Sequence, residues 1–298
     1  MKKSIVLLAV ACSLAGFQAS AQQKTDVQAH RGGMGLMPEN TIPAMLNAVK
    51  LGARTLELDC IISADNKVVV SHDPYMNGDF ILKPDGSSIS KEEQPRLILF
   101  SMTYDSIRKY DAGSKPYPRF PEQARFKVSR PLLAALIDSV ENYVKKNHLK
   151  PVYYNIETKS EERGDGVLNP VPEVFVNLLM EVINKKKIAS RVTIQSFDFR
   201  TLRVLHKKYP RQKTALLTSS GSLDENIATL GFTPSIYSPD FKLVTGELVR
   251  NAHAKNVEVI PWTVDQPEEM EKLLKLGVDG IITNYPDRLI KLAGSYQQ

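Results

Sequence analysis

Apolar and polar positions follow two different patterns along this chain, and the boundary between them falls near residue 130. From Pro131 onward, short apolar runs typical of buried strands alternate with longer stretches whose apolar positions recur at helical spacing. The predicted strands are 152–158, 192–197, 213–218, 235–239, 257–263 and 279–284, and the predicted helices are 131–147, 170–187, 199–208, 223–230, 245–255 and 267–276, with a last helix beginning near Pro286. Strands that alternate with helices at this spacing indicate a parallel sheet.

Two more strands precede this series. Residues 27–31 form the first strand and 55–60 the second, and a helix that begins after Thr41 connects them. Eight strands predict a closed (β/α)8 TIM barrel of the α/β class, and a doubly wound open sheet is the alternative. No GxGxxG motif follows the first strand, which disfavours a dinucleotide-binding sheet.

The second strand continues into an antiparallel hairpin that brings carboxylates close to a histidine. The run RTLELDCIISADNKVVVSHD contains two strands joined by the turn residues Asp65 and Asn66, and this connection is too short for a parallel crossover. With the turn centred on these two residues, Asp59 lies nearly opposite His72. Glu57 precedes Asp59 by two positions, so both carboxylates point to the same face of the strand.

Between the hairpin and the regular series lies a segment, 74–130, with no clear periodicity. Proline and glycine are frequent, aromatic residues are scattered, and only 103–110 has the spacing of a short helix. We interpret 74–130 as a lid-like insertion after the second strand, without an obvious core of its own. The rest of 22–298 then forms a single domain around it.

The first 21 residues predict export from the cytoplasm. Two lysines precede an apolar run that ends in Ala19-Ser20-Ala21, which is the organisation of a cleaved secretory signal. The run is too short to span a bilayer, and the residues before Cys12 form a poor lipoprotein signal. We expect a secreted, periplasmic protein after cleavage near Ala21, without stable membrane insertion. A signal anchor is the alternative.

Charge and cysteine content narrow the choice of partners. Loss of residues 1–21 removes two lysines and no acid, which lowers the net charge from +6 to +4. This mild basicity suits a small anionic substrate. The basic residues are dispersed apart from short runs near predicted helix ends, so we expect no nucleic-acid partner. Only Cys60 remains after cleavage, which excludes an internal disulfide.

A barrel has its active site at the carboxyl ends of its strands, and ionisable residues gather there in this sequence. Glu57, Asp59 and Glu157 bring three carboxylates to one mouth, and a bound cation is the simplest way for all three to remain ionised. Ligation by oxygen alone suits Ca²⁺ or Mg²⁺. The alternative is that neighbouring arginine or lysine side chains pair with these carboxylates as structural salt bridges.

Two histidines and two cations complete the candidate site. His30 and His72 are the histidines at predicted strand ends, and two imidazoles across a cleft can act as general base and general acid. A structural role is the alternative for each. Arg31 and Lys159 supply fixed positive charge suited to a phosphoryl group. With a hard divalent cation, these groups favour cleavage of a phosphate ester.

Short motifs occur in a fixed order along the chain. They are His30-Arg31-Gly32, Pro38-Glu39-Asn40-Thr41, Glu57-x-Asp59, His72-Asp73, Ile156-Glu157-Thr158-Lys159, Trp262-Thr263-Val264 and the run from Gly277 to Asn284. In this order they resemble the signature of the glycerophosphodiester phosphodiesterases. The resemblance covers nearly the whole chain after the signal segment, and the combination is specific although each motif alone would be weak.

The resemblance implies a barrel enzyme that hydrolyses glycerophosphodiesters to glycerol 3-phosphate and an alcohol. It implies one divalent cation, Ca²⁺ or Mg²⁺, on the three carboxylates, acid–base catalysis by the two histidines, and contacts of the two cations with the phosphate. Trp262 and Phe197 match aromatic positions that would line the pocket for glycerol or the leaving group, with core packing as the alternative for Phe197. Glu39 and Asn40 orient site residues or cap the first helix, and we expect a mixed role.

Two departures from the family's pattern leave the alcohol open. The run PYMNG follows His72-Asp73, where many members have a leucine and then an Arg-Thr pair. Arg130-Pro131-Leu132-Leu133 replaces the usual Pro-Thr-Leu-Glu helix start. Two other activities also stay open: a lyase or phospholipase-D-like reaction that releases a cyclic phosphate, and a barrel that binds glycerophosphodiesters without turnover. The oligomeric state is not predicted.

Overall fold

The computed structural model describes residues 25–295, so the predicted signal segment and Cys12 lie outside the described residues. The strands are β1 (Asp26–Ala29), β2 (Thr55–Ile62), β3 (Val68–Val70), β4 (Tyr153–Thr158), β5 (Val192–Ser196), β6 (Lys213–Thr218), β7 (Ile236–Pro239), β8 (Glu258–Val259) and β9 (Gly280–Thr283). All except β3 are parallel neighbours in the order β8-β7-β6-β5-β4-β2-β1-β9. Because β1 lies between β2 and β9, the last strand returns to the first, and the TIM barrel is confirmed over the doubly wound sheet.

Backbone hydrogen bonds join the chain around β8 to β9. The amide of Asp279 donates to the carbonyl of Val259 at 3.0 Å, and the amide of Ile282 donates to that of Pro261 at 3.0 Å. These bonds connect the two ends of the strand order, so the ring is nearly continuous.

The helices lie outside this ring and follow the predicted series closely. They are α1 (Ile42–Leu51), α2 (Tyr104–Ile107), α3 (Leu133–Lys146), α4 (Pro172–Lys185), α5 (Phe199–Lys208), α6 (Leu223–Leu230), α7 (Gly246–Ala254), α8 (Pro267–Leu276) and α9 (Pro286–Ser295). In α3 the buried positions Leu133, Leu136, Ile137, Val140 and Val144 recur at helical spacing and form one stripe against the barrel. No helix within residues 25–295 is long and apolar enough to span a membrane.

Alternate residues of the strands face opposite sides of the barrel wall. Leu56 and Leu58 of β2 and Ile156 of β4 are fully buried in the main core between strands and helices. Glu57 and Asp59 have the opposite parity, so they face the barrel interior. Burial of the apolar positions on the helix side thus fixes the direction of both carboxylates.

The hairpin register differs by one residue from the prediction. Cys60 pairs with Val70, and the amide of Ser71 donates to the carbonyl of Asp59 at 3.0 Å, so Ser71 and not His72 lies opposite Asp59. The turn contains three residues and not two, and its last residue, Asn66, adopts a left-handed conformation with φ 58°. His72 therefore extends beyond the paired region.

The apolar side chains of the insertion are buried in a small cluster that the insertion shares with the hairpin. They pack on the same face of the hairpin as Glu57 and Asp59, where Ile61 and Val69 of the hairpin meet Met76, Phe80, Ile81, Ile89, Leu99, Ile107 and Ala112. Most of these residues lie in loops, and α2 is shorter than the predicted helix at 103–110. Their irregular spacing follows from this loop structure and gives no periodic signal.

Candidate active site

Three carboxylates converge at the carboxyl ends of two adjacent strands. Parallel pairing of β2 with β4 sets Asp59 beside Glu157, and Glu57 lies one pleat below Asp59. Each of the three offers an oxygen within 4.8 Å of the others, and all three residues are buried. The structure therefore brings together the acidic residues that the sequence predicts as a metal site.

The electrostatics of this acidic cluster require positive charge. Burial, together with the charge of Asp59, raises the pKa of Glu57 well above its usual value. Burial also raises the pKa of Glu157. The pKa of Asp59 is lowered because His72, Arg31 and Lys159 together outweigh the effect of burial. One buried carboxylate in the cluster is thus held ionised while its neighbours resist ionisation.

An unpaired acceptor makes this cluster fit a divalent cation. Oδ1 of Asp59 is buried and has no hydrogen-bond partner. Buried polar atoms are normally paired, so an isolated carboxylate oxygen among other carboxylates is suited to a cation. The donor set consists of oxygen alone, which fits Ca²⁺ or Mg²⁺ better than softer metals.

Arg31 and Lys159 each pair with a carboxylate of the site. Nζ of Lys159 lies 2.7 Å from Oε1 of Glu157. The guanidinium of Arg31 lies 3.1 Å from Glu39 and 3.5 Å from Asp59. The salt-bridge alternative therefore holds for both cations, and both also line the cavity at the barrel mouth.

The backbone at Arg31 explains how one residue serves two purposes. β1 ends at Ala29, so His30 and Arg31 lie in a turn and not in the strand predicted for 27–31. Arg31 adopts φ 51°, in the left-handed region, and its amide donates to Oε2 of Glu57 at 2.7 Å. The backbone amide of Arg31 thus orients Glu57, while its side chain neutralises Glu39 and Asp59.

His30 is held by a neutral amide. Its Nδ1 lies 2.6 Å from Oδ1 of Asn284, and Nδ2 of Asn284 donates to Asp265 at 2.7 Å. Because a carboxylate only accepts, the asparagine must present its oxygen to the imidazole, which places the proton on Nδ1 and leaves Nε2 as an acceptor. Burial and the neighbouring charge of Arg31 lower the pKa of His30 to about 3, so its ring is neutral at neutral pH.

His72 is held by a carboxylate. Its Nδ1 lies 2.8 Å from Oδ1 of Asp73, whose Oδ2 accepts a hydrogen bond from Asn77 at 2.7 Å. Burial alone would raise the pKa of Asp73, but the contacts with His72 and Asn77 lower it to about 2. A carboxylate thus holds His72 and a neutral amide holds His30, so the two histidines have different environments.

Glu39 and Asn40 orient other site residues and do not cap the first helix. Asn40 donates to Oδ2 of Asp59 at 2.8 Å, and the amide of Asp59 donates back to Asn40 at 3.2 Å. Glu39 pairs with Arg31 and also with Arg130 at 3.4 Å. The cap of α1 is Thr41, so the capping half of the expected mixed role is wrong.

Buried amides and a buried arginine support the site and were not predicted. Gln195 donates to Oε1 of Glu57 at 2.7 Å, while Asn155 donates to Gln195 at 2.9 Å and to Gln28 at 2.8 Å. Each amide faces the barrel interior. The sequence signal for each was a polar residue at an inward-facing position of a strand whose other residues are mostly apolar. Arg130 is buried beside Glu39 and had no comparable signal.

Aromatic side chains form one wall of the mouth. The ring of Phe197 meets that of Trp262 edge-to-face at 5.2 Å, and Phe197 is 42% exposed, so core packing is excluded for it. Both rings line a cavity of about 220 Å³ together with His30 and His72. Arg119 of the insertion lines the same cavity and was not predicted.

A TIM barrel whose mouth combines these acids, imidazoles and cations belongs to the phosphodiester-cleaving enzymes. Residues 30–288 match the Glycerophosphoryl diester phosphodiesterase family, and the chain belongs to this family. The resemblance found in the short motifs is thereby confirmed, and the protein is a phosphoric diester hydrolase.

Individual relatives agree over nearly their full length. A glycerophosphodiester phosphodiesterase from Caldanaerobacter subterraneus subsp. tengcongensis is 33% identical over 269 residues, which is 90% of this chain and 98% of that protein. A crystal structure from Silicibacter pomeroyi that carries the family's name matches with a TM-score of 0.83 and 28% identity, covering 92% of this chain and 95% of that one. A phosphodiesterase from Oleispira antarctica, in complex with the product sn-glycerol-3-phosphate, shares the fold with a TM-score of 0.71 and 20% identity, covering 91% of this chain and 96% of that one.

Proposed function

We propose that this enzyme hydrolyses glycerophosphodiesters to glycerol 3-phosphate and an alcohol with one divalent cation, Ca²⁺ or Mg²⁺, and with His30 and His72 as its acid–base pair. The observation that carries this proposal is the buried acidic cluster with its unpaired Asp59 oxygen, which lies at the same mouth as two differently held imidazoles. The product named for the Oleispira antarctica structure supports glycerol 3-phosphate as the product here.

Glu57, Asp59 and Glu157 are the residues that would hold the cation. A divalent cation at this position would stabilise negative charge on the phosphate oxygens. Arg31 and Lys159 lie beside the same carboxylates and add fixed positive charge toward the phosphate. Gln195 and the amide of Arg31 each hold one oxygen of Glu57, which keeps this carboxylate in one orientation.

The different environments of the two histidines indicate different roles in the first step, in which the bond to the leaving alcohol breaks. Nε2 of His30 is an acceptor on a neutral ring, so His30 accepts the proton of the attacking hydroxyl. Asp73 holds Nδ1 of His72 at 2.8 Å and leaves its Nε2 free to face the substrate, so His72 donates a proton to the leaving alcohol. The attacking group is either a water molecule or the neighbouring 2-hydroxyl of the substrate. Attack by the 2-hydroxyl gives a cyclic phosphate that water then opens.

A product assay tests this proposal. The mature chain is incubated with glycerophosphocholine and glycerophosphoethanolamine, with Ca²⁺ or Mg²⁺ or with a chelator, and release of glycerol 3-phosphate is measured. We expect turnover that the chelator abolishes and that His30→Ala and His72→Ala each reduce strongly. His148→Asn is the control, because this exposed histidine has φ 53°, which asparagine tolerates.

Other outcomes would replace the proposal. Full activity in His30→Ala or His72→Ala would remove the histidine mechanism, and turnover in chelator would remove the cation. Phosphorus NMR that shows a cyclic phosphate as the final product would favour the lyase or phospholipase-D-like reaction. Tight binding without turnover across a panel of diesters would favour the binding barrel.

We also propose that the protein is exported, on the evidence of its first 21 residues. The lysines, the apolar run and the small residues before Ala21 support removal of this segment near Ala21. Mass spectrometry of the protein in the periplasmic fraction should give a mass that corresponds to a chain beginning near residue 22. The full-length mass in the cytoplasmic fraction would contradict export.

A further inference from the structure

Three of the cations that line the cavity differ in how they are paired. Arg31 is paired with Glu39 and Asp59, and Lys159 is paired with Glu157. The guanidinium of Arg119 lies 5.2 Å from the centre of the Phe120 ring and contacts the hydroxyl of Tyr117. Within residues 25–295 it forms no ion pair with a carboxylate. Arg119 thus brings an uncompensated positive charge to the mouth.

The backbone around Arg119 is held firmly. It lies in the sequence Tyr-Pro-Arg-Phe-Pro, where two prolines restrict the chain. Phe120 is buried in a cluster with Met34 and Tyr285, and its ring lies 5.4 Å from that of Tyr117. The segment is therefore fixed to the loop after β1 and to the end of the barrel near α9. A cation on a fixed segment loses less conformational entropy on binding than one on a mobile loop.

Arg119 belongs to a different segment of the chain from the groups assigned to the scissile phosphate. Arg31, Lys159 and the carboxylate cluster come from the barrel strands and the turn after β1, whereas Arg119 comes from the insertion. The aromatic wall of Phe197 and Trp262 also comes from the barrel. The insertion thus adds a third cation to the cavity, on a segment that supplies none of the groups assigned to the scissile phosphate.

We propose that Arg119 is a specificity-determining residue that favours glycerophosphodiesters whose alcohol carries a second anionic group, such as another phosphodiester. This inference rests on the proposed glycerophosphodiester hydrolysis and adds a substrate class to it. A guanidinium binds phosphate oxygens through paired hydrogen bonds and repels a quaternary ammonium group. Diesters of anionic alcohols should therefore be better substrates than diesters of choline.

Two substrates with the same alcohol allow a matched test. Glycerophosphoglycerol has a neutral glycerol as its alcohol, and bis(glycerophospho)glycerol adds one phosphodiester to that glycerol. The value of kcat/KM, counted per scissile diester, is measured for both. We expect wild type to prefer the anionic substrate and Arg119→Gln to lower this preference by roughly fivefold to tenfold, because a charge-assisted contact is lost.

Control variants separate recognition from general charge. Arg119→Lys keeps the charge and should retain part of the preference, whereas Arg125→Gln, an exposed arginine of the insertion that does not line the cavity, should retain all of it. Added salt should reduce the wild-type preference toward that of Arg119→Gln. The neutral substrate reports whether each variant still folds and turns over.

The outcomes distinguish this inference from the proposed function. If Arg119→Gln hydrolyses both substrates with the wild-type ratio, the role of Arg119 is wrong and diester hydrolysis stands. An equal loss of preference in Arg125→Gln would also overturn it, since net charge alone would explain the effect. If wild type hydrolyses neither substrate nor any other glycerophosphodiester, the proposed function itself fails.

Discussion

The barrel and the insertion bury apolar side chains in different ways. In the barrel, every second strand residue packs against a helix, so residues such as Leu56 and Ile156 fix the inward direction of the acids between them. In the insertion, apolar residues from several loops meet on the hairpin at irregular spacing. The regular packing of strands against helices therefore positions the acidic cluster, whereas the irregularly packed insertion contributes further side chains at the mouth of the barrel.

The two regions meet at a chain of charged contacts. Arg31 of the turn after β1 pairs with Glu39, and Glu39 pairs with Arg130 at the end of the insertion. The guanidinium of Arg130 lies 5.3 Å from the ring centre of Phe80, which belongs to the apolar cluster that the insertion shares with the hairpin. The difference in architecture suggests a division of labour, with the barrel performing the chemistry and the insertion contributing stability and specificity.

The largest expected effect follows from removing one barrel carboxylate. Asp59→Asn should lower kcat/KM by about a thousandfold, because a ligand of the proposed cation is lost. The metal-free variant should remain folded, since the change removes repulsion with Glu57 and keeps an oxygen for Asn40. Activity assays and urea unfolding of wild type and Asp59→Asn measure the loss of activity and the retained stability.

An exposed aspartate gives the matched control. Asp79→Asn lies on the surface of the insertion and should leave both activity and stability unchanged. If Asp59→Asn lost as much stability as activity, the carboxylate would be a structural residue and the division between the two regions would fail.

The next effect concerns the buried link from the insertion. Arg130→Met should reduce the free energy of unfolding by about 3 kcal/mol, because the carbonyl of Glu39 loses a donor at 2.7 Å and its carboxylate loses a buried partner. Urea unfolding measures the change. Arg125→Met, on the exposed surface, is the control and should stay within about 0.5 kcal/mol of wild type. An equally small change for Arg130→Met would mean that the insertion only covers the barrel.

Strand parity made much of the site predictable. Glu57, Asp59 and Glu157 share the inward face because apolar neighbours must face the helices, and this follows from sequence. The role of Gln195 depends on which strands become neighbours, so its contact with Glu57 needed the closed ring. The predicted hairpin register was wrong by one residue, because the composition of the turn did not distinguish a turn of two residues from one of three.

The insertion was less predictable for a related reason. Its buried residues have no common period, and the burial of Arg130 depends on partners about 50 and 90 positions away in the chain. Long-range pairs of this kind leave no local pattern. The sequence therefore located the insertion but not the apolar cluster that it shares with the hairpin, nor the two arginines that it brings to the site.

A pH dependence of stability tests the environment of His30. Its pKa of about 3 lies below the ordinary value of 6.5, so between these values the unfolded chain binds a proton that the folded chain does not. His30 thus favours folding above pH 6.5, and this contribution is lost as pH falls toward 3. Because the ring is partly exposed at the mouth, we expect wild type to lose on the order of 1–2 kcal/mol more than His30→Gln between pH 7 and 4.5.

Urea unfolding at several pH values, with chelator present, measures this difference. His148→Asn replaces an exposed histidine and should follow the wild-type slope. Parallel slopes for wild type and His30→Gln would show that His30 titrates normally, and its assignment as the base would lose its support.

The smallest effect concerns the amides inside the barrel. Gln195→Leu removes the donor to Oε1 of Glu57, so this oxygen is no longer held at 2.7 Å and the carboxylate gains freedom to rotate. We expect Ca²⁺ or Mg²⁺ to bind about tenfold more weakly, as for other residues that orient metal ligands. Isothermal titration calorimetry measures the affinity directly, without dependence on turnover. Gln28→Leu is the matched control, because Gln28 belongs to the same chain of amides but contacts Asn155 and not Glu57. A similar loss of affinity in both variants would assign the effect to packing of the barrel interior. A loss confined to Gln195→Leu would show that the individual hydrogen bond from Gln195 orients Glu57 within the acidic cluster.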